Sequence, residues 1–398
     1  MDRVEIGLVL QGGGALGAYE WGAVGALLEL MDEAAAKGCD IRLTCVTGVS
    51  IGAINAACVV GAADRADARR RLDGLWADLT LDLPAFCPSW RFDLSLFGGP
   101  TVDPARDISL FGLPAFYAPR RDLINFANWT SYYDTQALIG TLERHVDFAA
   151  LNASPTRFVV SAVDVTSGEL ARFSNHHPVP TASAKVGPTS KRHASEEIGP
   201  RHVLASGSLP PQFPWTTING RRYWDGGLVD NSPIGDAVDA FSPGEGVERL
   251  LIVMNLYPLH GLLPRNISGV NDRVHELQLG NRLRQDRATA RRINALVETI
   301  QELRALVPAA RIDPWLSARL DEAGSYKVLD AITEIYLQAP GEAQDSRDDE
   351  FGLRDFSPAA IQGRQARGRE RALKKLVPLF ENHHLIKPAG APPLRASA

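Results

Sequence analysis

Two stretches near the N-terminus share the same order of apolar and glycine-rich segments. Residues Val4–Leu10 are mostly apolar and end in three glycines, after which apolar residues recur every three or four positions over Ala15–Met31. A second apolar run, Leu43–Thr47, leads into another glycine turn and a helical pattern from Ile51 onward. Continuous apolar runs are typical of strands buried on both faces, whereas a spacing of three and four is typical of helices. The repeated order of strand, glycine turn and helix predicts an α/β fold with a parallel sheet.

An aromatic-rich block interrupts this regular order. Residues 86–133 hold 11 of the 29 aromatic side chains of the chain, together with many prolines and glycines. Because the strand–turn–helix pattern breaks here, we expect a cap-like insertion over the sheet rather than another strand–helix unit.

Regular patterns return after the aromatic block. The predicted elements are a helix near Thr135–His145, a strand at Arg157–Val165 with a hairpin turn into Glu169–Phe173, a strand at Arg249–Asn255, and helices at about Val270–Leu306 and Ile361–Leu376. The polar stretch Pro178–Pro200 is predicted to be a loop. Residues 387–398 are rich in proline and alanine and are predicted to be a flexible tail.

Composition and charge exclude several classes of protein. The chain carries 42 basic and 47 acidic residues, a formal net charge of −5, so no overall basic field points to a nucleic acid partner. Glycine and proline are too few for a collagen-like or low-complexity chain. Cys39, Cys45, Cys58 and Cys87 form no C-x-x-C pair, which argues against a zinc site and favours buried thiols in a reducing compartment.

The sequence predicts neither a signal peptide nor a membrane span. The apolar stretch Val4–Leu10 is too short for a signal peptide and is followed at once by glycines. The uncharged run Val46–Ala63 reaches the roughly 18 residues of a candidate span. Its glycines, together with Ser50 and Asn55, fit a turn and a packed helix better. We therefore expect a cytoplasmic protein.

The second glycine turn carries a candidate nucleophile. Residues Gly48 to Gly52 read Gly-Val-Ser-Ile-Gly between the second predicted strand and its helix. On such a tight turn the hydroxyl of Ser50 is held outward, and the small flanking residues allow the two backbones to cross. The N-terminus of the helix behind Ser50 also favours the negative charge of a developing alkoxide. These features predict a nucleophile, and a helix start capped by a serine is the alternative.

The first glycine turn is a candidate anion site. Gly12, Gly14 and Gly17 match G-x-G-x-x-G and, with Gly13, offer unhindered backbone N–H groups at the start of a helix. Such groups suit an oxyanion as well as the pyrophosphate of a dinucleotide. A dinucleotide site expects an acidic residue about 20 positions on, at the end of the second strand. That strand ends instead in the serine turn, so an oxyanion hole is the better interpretation.

A serine nucleophile needs a general base, and none of the nine histidines has a context that singles it out. Asp225 is the better candidate. It follows an apolar approach and precedes Gly226 and Gly227, which puts its carboxylate at a sharp turn where burial raises its proton affinity. An ordinary hairpin turn is the alternative interpretation of the Asp-Gly-Gly sequence.

Together these motifs resemble those of the patatin-like phospholipase family. The matching segments are residues 12–17 for the oxyanion loop, 48–52 for the nucleophile turn and 225–227 for the catalytic Asp-Gly-Gly, with further similarity at 205–214 and 230–233. The order and context of three motifs are more specific than any one of them. The resemblance implies a three-layer α/β/α fold with a mostly parallel central sheet.

The resemblance also divides the chain. It implies a catalytic domain at residues 1–240, interrupted by the insertion at 86–133. Residues 241–386, predicted as a strand plus a helical C-terminal region, are reminiscent of bacterial family members with an additional C-terminal domain. One departure from the family pattern is Leu16, where members often have an arginine, so any help from that side chain in anion binding is absent.

The activity implied by the resemblance is that of a serine lipid acyl hydrolase without metal or cofactor. Asp225 would act as general base for Ser50, which attacks an ester carbonyl to give an acyl-enzyme. Because a carboxylate near its usual pKa is a poor base at neutral pH, we predict that Asp225 is buried and has a raised pKa. The remaining predicted site residues are the oxyanion donors Gly12, Gly13 and Gly14, and the supporting glycines Gly17, Gly48, Gly52, Gly226 and Gly227.

Two other functions stay open. An esterase or thioesterase acting on soluble acyl or hydroxyalkanoate esters would use the same dyad, whereas a catalytically inactive lipid- or nucleotide-binding module would not need all three motifs. For a lipid substrate, the aromatic block would line an acyl channel or make peripheral contact with a membrane, with an ordinary core as the equal alternative. The basic stretch at residues 364–375 would fit anionic lipid headgroups, although a solvated helix face is favoured.

Overall fold

The computed structural model describes most of the 398-residue chain. The described residues are 3–81, 92–93, 101–102, 112–120, 122, 128–176, 193–195, 197–242, 247–257, 263–264, 267–307, 313–324, 332–337 and 352–387. Most of the aromatic block, Cys87, much of the predicted loop at 178–200 and the predicted tail beyond residue 387 lie outside them.

A nine-stranded sheet forms the centre of the protein. Its core path runs β10-β11-β7-β2-β1-β12-β13, with β8 beside β7 and β9 beside β8, while β3–β4 and β5–β6 are separate two-stranded pairs. The strands are β1 (Arg3–Leu10), β2 (Ile41–Gly48), β3 (Phe92–Asp93), β4 (Thr101–Val102), β5 (Ala118–Pro119), β6 (Tyr133–Asp134), β7 (Arg157–Asp164), β8 (Leu170–Ser174), β9 (His193–Ser195), β10 (Thr216–Ile218), β11 (Arg221–Asp225), β12 (Val247–Asn255) and β13 (Ile332–Tyr336). The path from β7 to β13 is parallel throughout, which confirms the predicted mostly parallel sheet.

Helices cover both faces of the sheet. They are α1 (Gly17–Ala36), α2 (Ile51–Val60), α3 (Arg65–Leu79), α4 (Gln136–His145), α5 (Phe148–Ala153), α6 (Pro200–Ser206), α7 (Ile234–Val238), α8 (Ile267–Leu306), α9 (Pro314–Gly324) and α10 (Pro358–Asn382). Alternate residues of β1 enter two separate cores, because successive side chains of a strand point to opposite faces. Ile6 and Leu8 pack in the larger core with α1, α2, α3 and α10, whereas Val9 packs in the smaller one with Ile234 and Ala237 of α7. The predicted three-layer α/β/α architecture is confirmed.

The region after residue 240 shares this sheet and core. Strand β12 pairs with β1 over eight positions in parallel register, and β13 pairs with β12. Helix α10 crosses α1 closely: a Cβ atom at Gly22 would collide with the backbone of Gln365, and one at Gly368 with the backbone of Tyr19. Glycines at these two positions therefore bring the helices together, and the last helix packs directly on the first.

The basic stretch on α10 is partly buried and partly exposed. Arg364 is buried and donates a hydrogen bond of 2.6 Å to the carbonyl oxygen of Asp355. Arg369 pairs with Glu29 of α1 at 2.8 Å. Arg364 therefore serves the packing of α10, which corrects the expectation for that residue. The side chain of Arg369 stays 43% exposed, and Lys374 and Lys375 are exposed, as expected of a solvated helix face.

Most of the predicted elements are present within a few residues of their expected bounds. Helix α1 runs five residues further than predicted, to Ala36, and α10 extends to Asn382. Helices α3, α5, α6, α7 and α9 and strands β3 to β6, β9, β10, β11 and β13 were not predicted. Strand β9 corrects part of the predicted loop at 178–200, because His193–Ser195 pairs with β8. The prediction of buried thiols is confirmed for Cys39, Cys45 and Cys58. No helix in the described part of the chain is long and apolar enough to cross a lipid bilayer.

Candidate active site

Ser50 lies on a sharp turn between β2 and α2. Its backbone has φ 54° and ψ −123°, a conformation that non-glycine residues rarely adopt. A Cβ atom at Gly48 would lie 2.5 Å from the carbonyl oxygen of Gly52, and one at Gly52 would lie 2.5 Å from that of Leu10. Both glycines are therefore required by the close crossing of strand and helix. This is the arrangement that the spacing of the Gly-Val-Ser-Ile-Gly segment predicts.

The register of β7 brings Asp225 to Ser50. On one edge of β7, Gly48 of β2 lies opposite Val160, and Asp225 of β11 lies opposite Ala162. Strand β8 occupies the other edge of the same stretch of β7. Strands β2 and β11 must therefore follow one another along a single edge, so that Asp225 lies just beyond the end of β2. The Ser50 hydroxyl donates a hydrogen bond to the Asp225 carboxylate.

Asp225 is held in a buried environment. Its side chain is 3% exposed and accepts a hydrogen bond of 2.7 Å from the backbone N–H of Gly227. Burial raises the pKa of Asp225 to about 7, although the hydrogen bonds from Gly227 and Ser50 act in the opposite direction. A carboxyl group with this pKa can both take up and return a proton near neutral pH.

The glycine loop after β1 lies directly against Ser50. A Cβ atom at Gly12 would lie 2.9 Å from that of Ser50. The N–H of Gly12 donates to Oδ1 of Asn231 at 2.9 Å and is therefore satisfied within the protein. For the N–H groups of Gly13 and Gly14, the described residues supply no such acceptor. Within the described part of the chain, two of the three predicted oxyanion donors therefore have no hydrogen-bond acceptor, whereas Gly12 is excluded as a donor because Asn231 accepts its N–H.

Gly14 and two of the supporting glycines, Gly17 and Gly226, allow close approach of neighbouring segments. Gly14 has φ +53°, and a Cβ atom there would lie 2.5 Å from the carbonyl oxygen of Leu353. At Gly17 the added atom would lie 2.5 Å from Ile51, so this glycine lets α1 approach α2. At Gly226 it would collide with the backbone of Ser161 in β7, the strand that positions Asp225.

A cavity of about 400 Å³ opens onto Ser50 and Asp225. Much of its wall is aromatic or aliphatic. Four described residues of the aromatic block contribute to it: Phe116, Tyr117, Tyr132 and Tyr133. Three of these rings, those of Phe116, Tyr117 and Tyr133, also pack against Phe213. The ring centroids of Tyr117 and Tyr133 lie 4.9 Å apart. This part of the block therefore lies beside the candidate nucleophile.

The C-terminal region supplies a further part of the wall. Its contribution was not predicted from the sequence, and it consists of Tyr257, His275, Leu279, Leu353, Arg354 and Phe356. Asn231 also lines the cavity; the sequence places it in a segment of family similarity but gives no sign of its contact with Gly12. No three His, Cys, Asp or Glu side chains converge into a metal site in the described part of the chain.

Comparison with known proteins relates the chain to one family. Residues 8–238 match the family described as Patatin-like phospholipase, which is more than half of the 398 residues. No curated protein sequence matches the chain.

Two solved structures are similar over most of the chain. The crystal structure of VipD from Legionella pneumophila has a TM-score of 0.39 at 15% identity, covering 96% of this chain and 67% of that one. The ExoU-SpcU complex from the type III secretion system of Pseudomonas aeruginosa has a TM-score of 0.30 at 15% identity, covering 80% of this chain and 65% of that one. The chain thus spans about two thirds of the length of these proteins.

Proposed function

Because the chain belongs to the patatin-like phospholipase family, we propose that it is a serine hydrolase of lipid acyl esters that works through Ser50 and Asp225. The observation that carries the proposal is the hydrogen bond between the Ser50 hydroxyl and a buried carboxylate whose pKa is raised to about 7. At neutral pH about half of such carboxyl groups are ionised, so a base is available without a histidine.

In the first half of the reaction, the Ser50 hydroxyl gives its proton to Asp225 as its oxygen bonds to the ester carbonyl carbon. The carbonyl electron pair moves to oxygen, and the N–H groups of Gly13 and Gly14 stabilise this oxyanion. When the tetrahedral intermediate collapses, the bond to the leaving oxygen breaks. The leaving group takes the proton from Asp225, and the acyl group stays on Ser50.

In the second half, a water molecule gives a proton to Asp225 and adds its oxygen to the acyl carbonyl carbon. The same N–H groups stabilise the second oxyanion. Breakage of the bond to Ser50 returns the proton to the serine oxygen and releases a fatty acid. The dyad ends in its starting state, so no metal or cofactor is needed for turnover.

The walls of the cavity support a lipid substrate. Aromatic and aliphatic side chains surround the candidate nucleophile. Transfer of an acyl chain from water to such a surface is favourable, because apolar area is removed from water. Tyr132 lines the cavity and is also 54% exposed, which fits an amphipathic ring at a membrane interface. We accordingly propose peripheral membrane contact at this side of the protein. A soluble acyl ester or thioester is the second candidate substrate, because the dyad chemistry would be the same.

Active-site labelling tests the proposal. A fluorophosphonate probe should label the wild-type chain and the Ser167→Ala control, whose serine lies on an exposed turn, but not Ser50→Ala. Asp225→Ala should lose labelling and ester hydrolysis while staying folded, and the loss should reach about 10⁴-fold. Labelling of Ser50→Ala would refute the nucleophile, and full activity of Asp225→Ala would refute the base. Faster hydrolysis of phospholipid vesicles than of a soluble thioester would support the lipid substrate.

A further inference from the structure

The backbone N–H and C=O of Gly12 are held by two buried side chains. The hydroxyl of Tyr257 donates a hydrogen bond of 2.7 Å to the carbonyl oxygen of Gly12. Nδ2 of Asn231 donates to the same oxygen at 3.2 Å, while Oδ1 of Asn231 accepts from the N–H of Gly12 at 2.9 Å. Both polar groups of Gly12 are therefore satisfied by side chains from distant parts of the sequence.

This arrangement sets the direction of the next N–H group. In a trans peptide the C=O of one residue and the N–H of the following residue point in opposite directions across a rigid plane. In the described chain the only cis peptide joins Pro210 and Pro211. A Gly12 carbonyl fixed on Tyr257 and Asn231 therefore turns the N–H of Gly13 away from them. Gly13 lines the same cavity as Ser50.

The other end of the loop is fixed as well. The N–H of Ala15 donates to the carbonyl oxygen of Leu353 at 3.0 Å. The glycines at 12, 13 and 14 thus lie between two anchored points. Glycine has the greatest backbone freedom of all residues, so three in a row keep one geometry only where the surrounding structure imposes it.

Tyr257 is well suited to this role. Burial, together with the negative charges of Asp225, Glu20 and Glu276, raises the pKa of its phenol well above the usual value. The hydroxyl therefore stays protonated, and remains a donor, across the pH range in which Asp225 titrates. The backbone around it is also held, since the N–H of Leu256 donates to Oε1 of Gln11 at 2.9 Å.

We propose that Tyr257, which lies outside the segment shared with the family, is a positioning residue that aims the N–H of Gly13 at the oxyanion of the reaction. The inference rests on the proposed function, because it assigns a task within that reaction. It also gives the C-terminal region a part in catalysis: the hydroxyl that orients the glycine loop lies just after β12, 207 positions beyond Ser50 in the sequence.

The test compares Tyr257→Phe with Tyr19→Phe in the full chain. Tyr19 is the matched control because its buried hydroxyl also donates to a backbone carbonyl, that of Tyr336, at 2.6 Å. On a soluble ester, Tyr257→Phe should lower kcat about 10- to 100-fold and change KM less than about twofold, because a misdirected donor weakens only the transition state. A trifluoromethyl ketone, whose adduct with Ser50 carries an oxyanion, should lose affinity by the same factor. Tyr19→Phe should leave all three quantities within about twofold of wild type.

Three results would overturn the proposal: an unchanged kcat in Tyr257→Phe, equal losses in both variants, or an inhibitor affinity that does not follow kcat. If Tyr257→Phe does not fold, Asn231→Ala removes the other hydrogen bonds to the backbone of Gly12. This variant must then also lower kcat while changing KM less than about twofold. Ser50→Ala separates this inference from the proposed function. Activity that survives in Ser50→Ala refutes the proposed function, whereas Ser50-dependent activity that Tyr257→Phe leaves intact refutes only the role of Tyr257.

Discussion

Replacement of Asp225 by asparagine should abolish activity and stabilise the fold at the same time. Burial raises the pKa of this carboxyl from 3.8 to about 7. Each tenfold change in proton affinity corresponds to about 1.4 kcal/mol. Ionised Asp225 therefore costs the folded state up to about 4 kcal/mol relative to the unfolded chain, where the carboxyl is in water. Asparagine carries no charge and avoids this cost.

An asparagine at position 225 can keep the hydrogen bonds that Asp225 makes. Oδ1 of an asparagine can accept the hydrogen bond from Gly227, which is 2.7 Å long in the wild type. Its Nδ2 can donate to the Ser50 oxygen, which reverses the direction of that hydrogen bond without breaking it. Neither partner is left unsatisfied in the interior, so the electrostatic contribution should dominate the change in the free energy of unfolding.

The raised pKa of Asp225 determines how the free energy of unfolding changes with pH. Between about pH 4 and pH 7 the folded protein holds a proton on Asp225 that the unfolded chain has lost, so this group makes wild-type stability fall as the pH rises. Above about pH 7 the whole cost is present. Asp225→Asn should therefore be about 2–4 kcal/mol more stable than wild type at pH 8 and nearly equal to it at pH 4. The same titration should lower wild-type kcat/KM below about pH 7, because protonated Asp225 cannot act as a base.

Urea unfolding of both proteins at pH 4, 6 and 8 measures this difference. Asp236→Asn is the matched control: Asp236 is also a buried aspartate, but it pairs with Arg172 at 2.7 Å. Removing that carboxylate should destabilise the protein, because Arg172 loses its charged partner. The reasoning would be refuted if Asp225→Asn were no more stable than wild type at pH 8, or if its advantage did not change with pH.

Two further substitutions test the walls of the site. Gly14→Ala should lower kcat at least about tenfold, because φ is +53° there and a Cβ atom would lie 2.5 Å from the Leu353 carbonyl oxygen. A wild-type kcat in a steady-state ester assay would contradict the requirement for glycine at this position. Arg354 brings a permanent cation to the cavity wall, so Arg354→Met should reduce kcat/KM for an anionic phospholipid about 10-fold while a neutral soluble ester is hydrolysed at a similar rate. Equal losses on the two substrates, measured in parallel, would show that this cation does not select the headgroup.

The motifs that the sequence identifies are those whose structure is local. A strand buried on both faces is apolar throughout, and a glycine turn into a helix is complete within about ten residues. The turn around Ser50 and the glycine loop are therefore both where their spacing predicts. The hairpin of β10 and β11 is also local, and its signal was present: Asn219 and Gly220 have φ of 48° and 78°, as expected for an Asn-Gly hairpin turn. Its strands were missed because they are short and largely polar.

The sequence by itself therefore determined the order of the strands and helices around Ser50, the residue types of the candidate nucleophile, the candidate base and the glycine loop, and the class of fold. The tertiary structure decided how these groups meet. Only the register of β7 places Asp225 beside Ser50, and only burial in three dimensions raises its pKa to about 7. The contact of Tyr257 with Gly12 likewise depends on the pairing of β12 with β1. Spacing along a chain encodes local geometry, whereas desolvation and long-range hydrogen bonds exist only after the whole chain has packed.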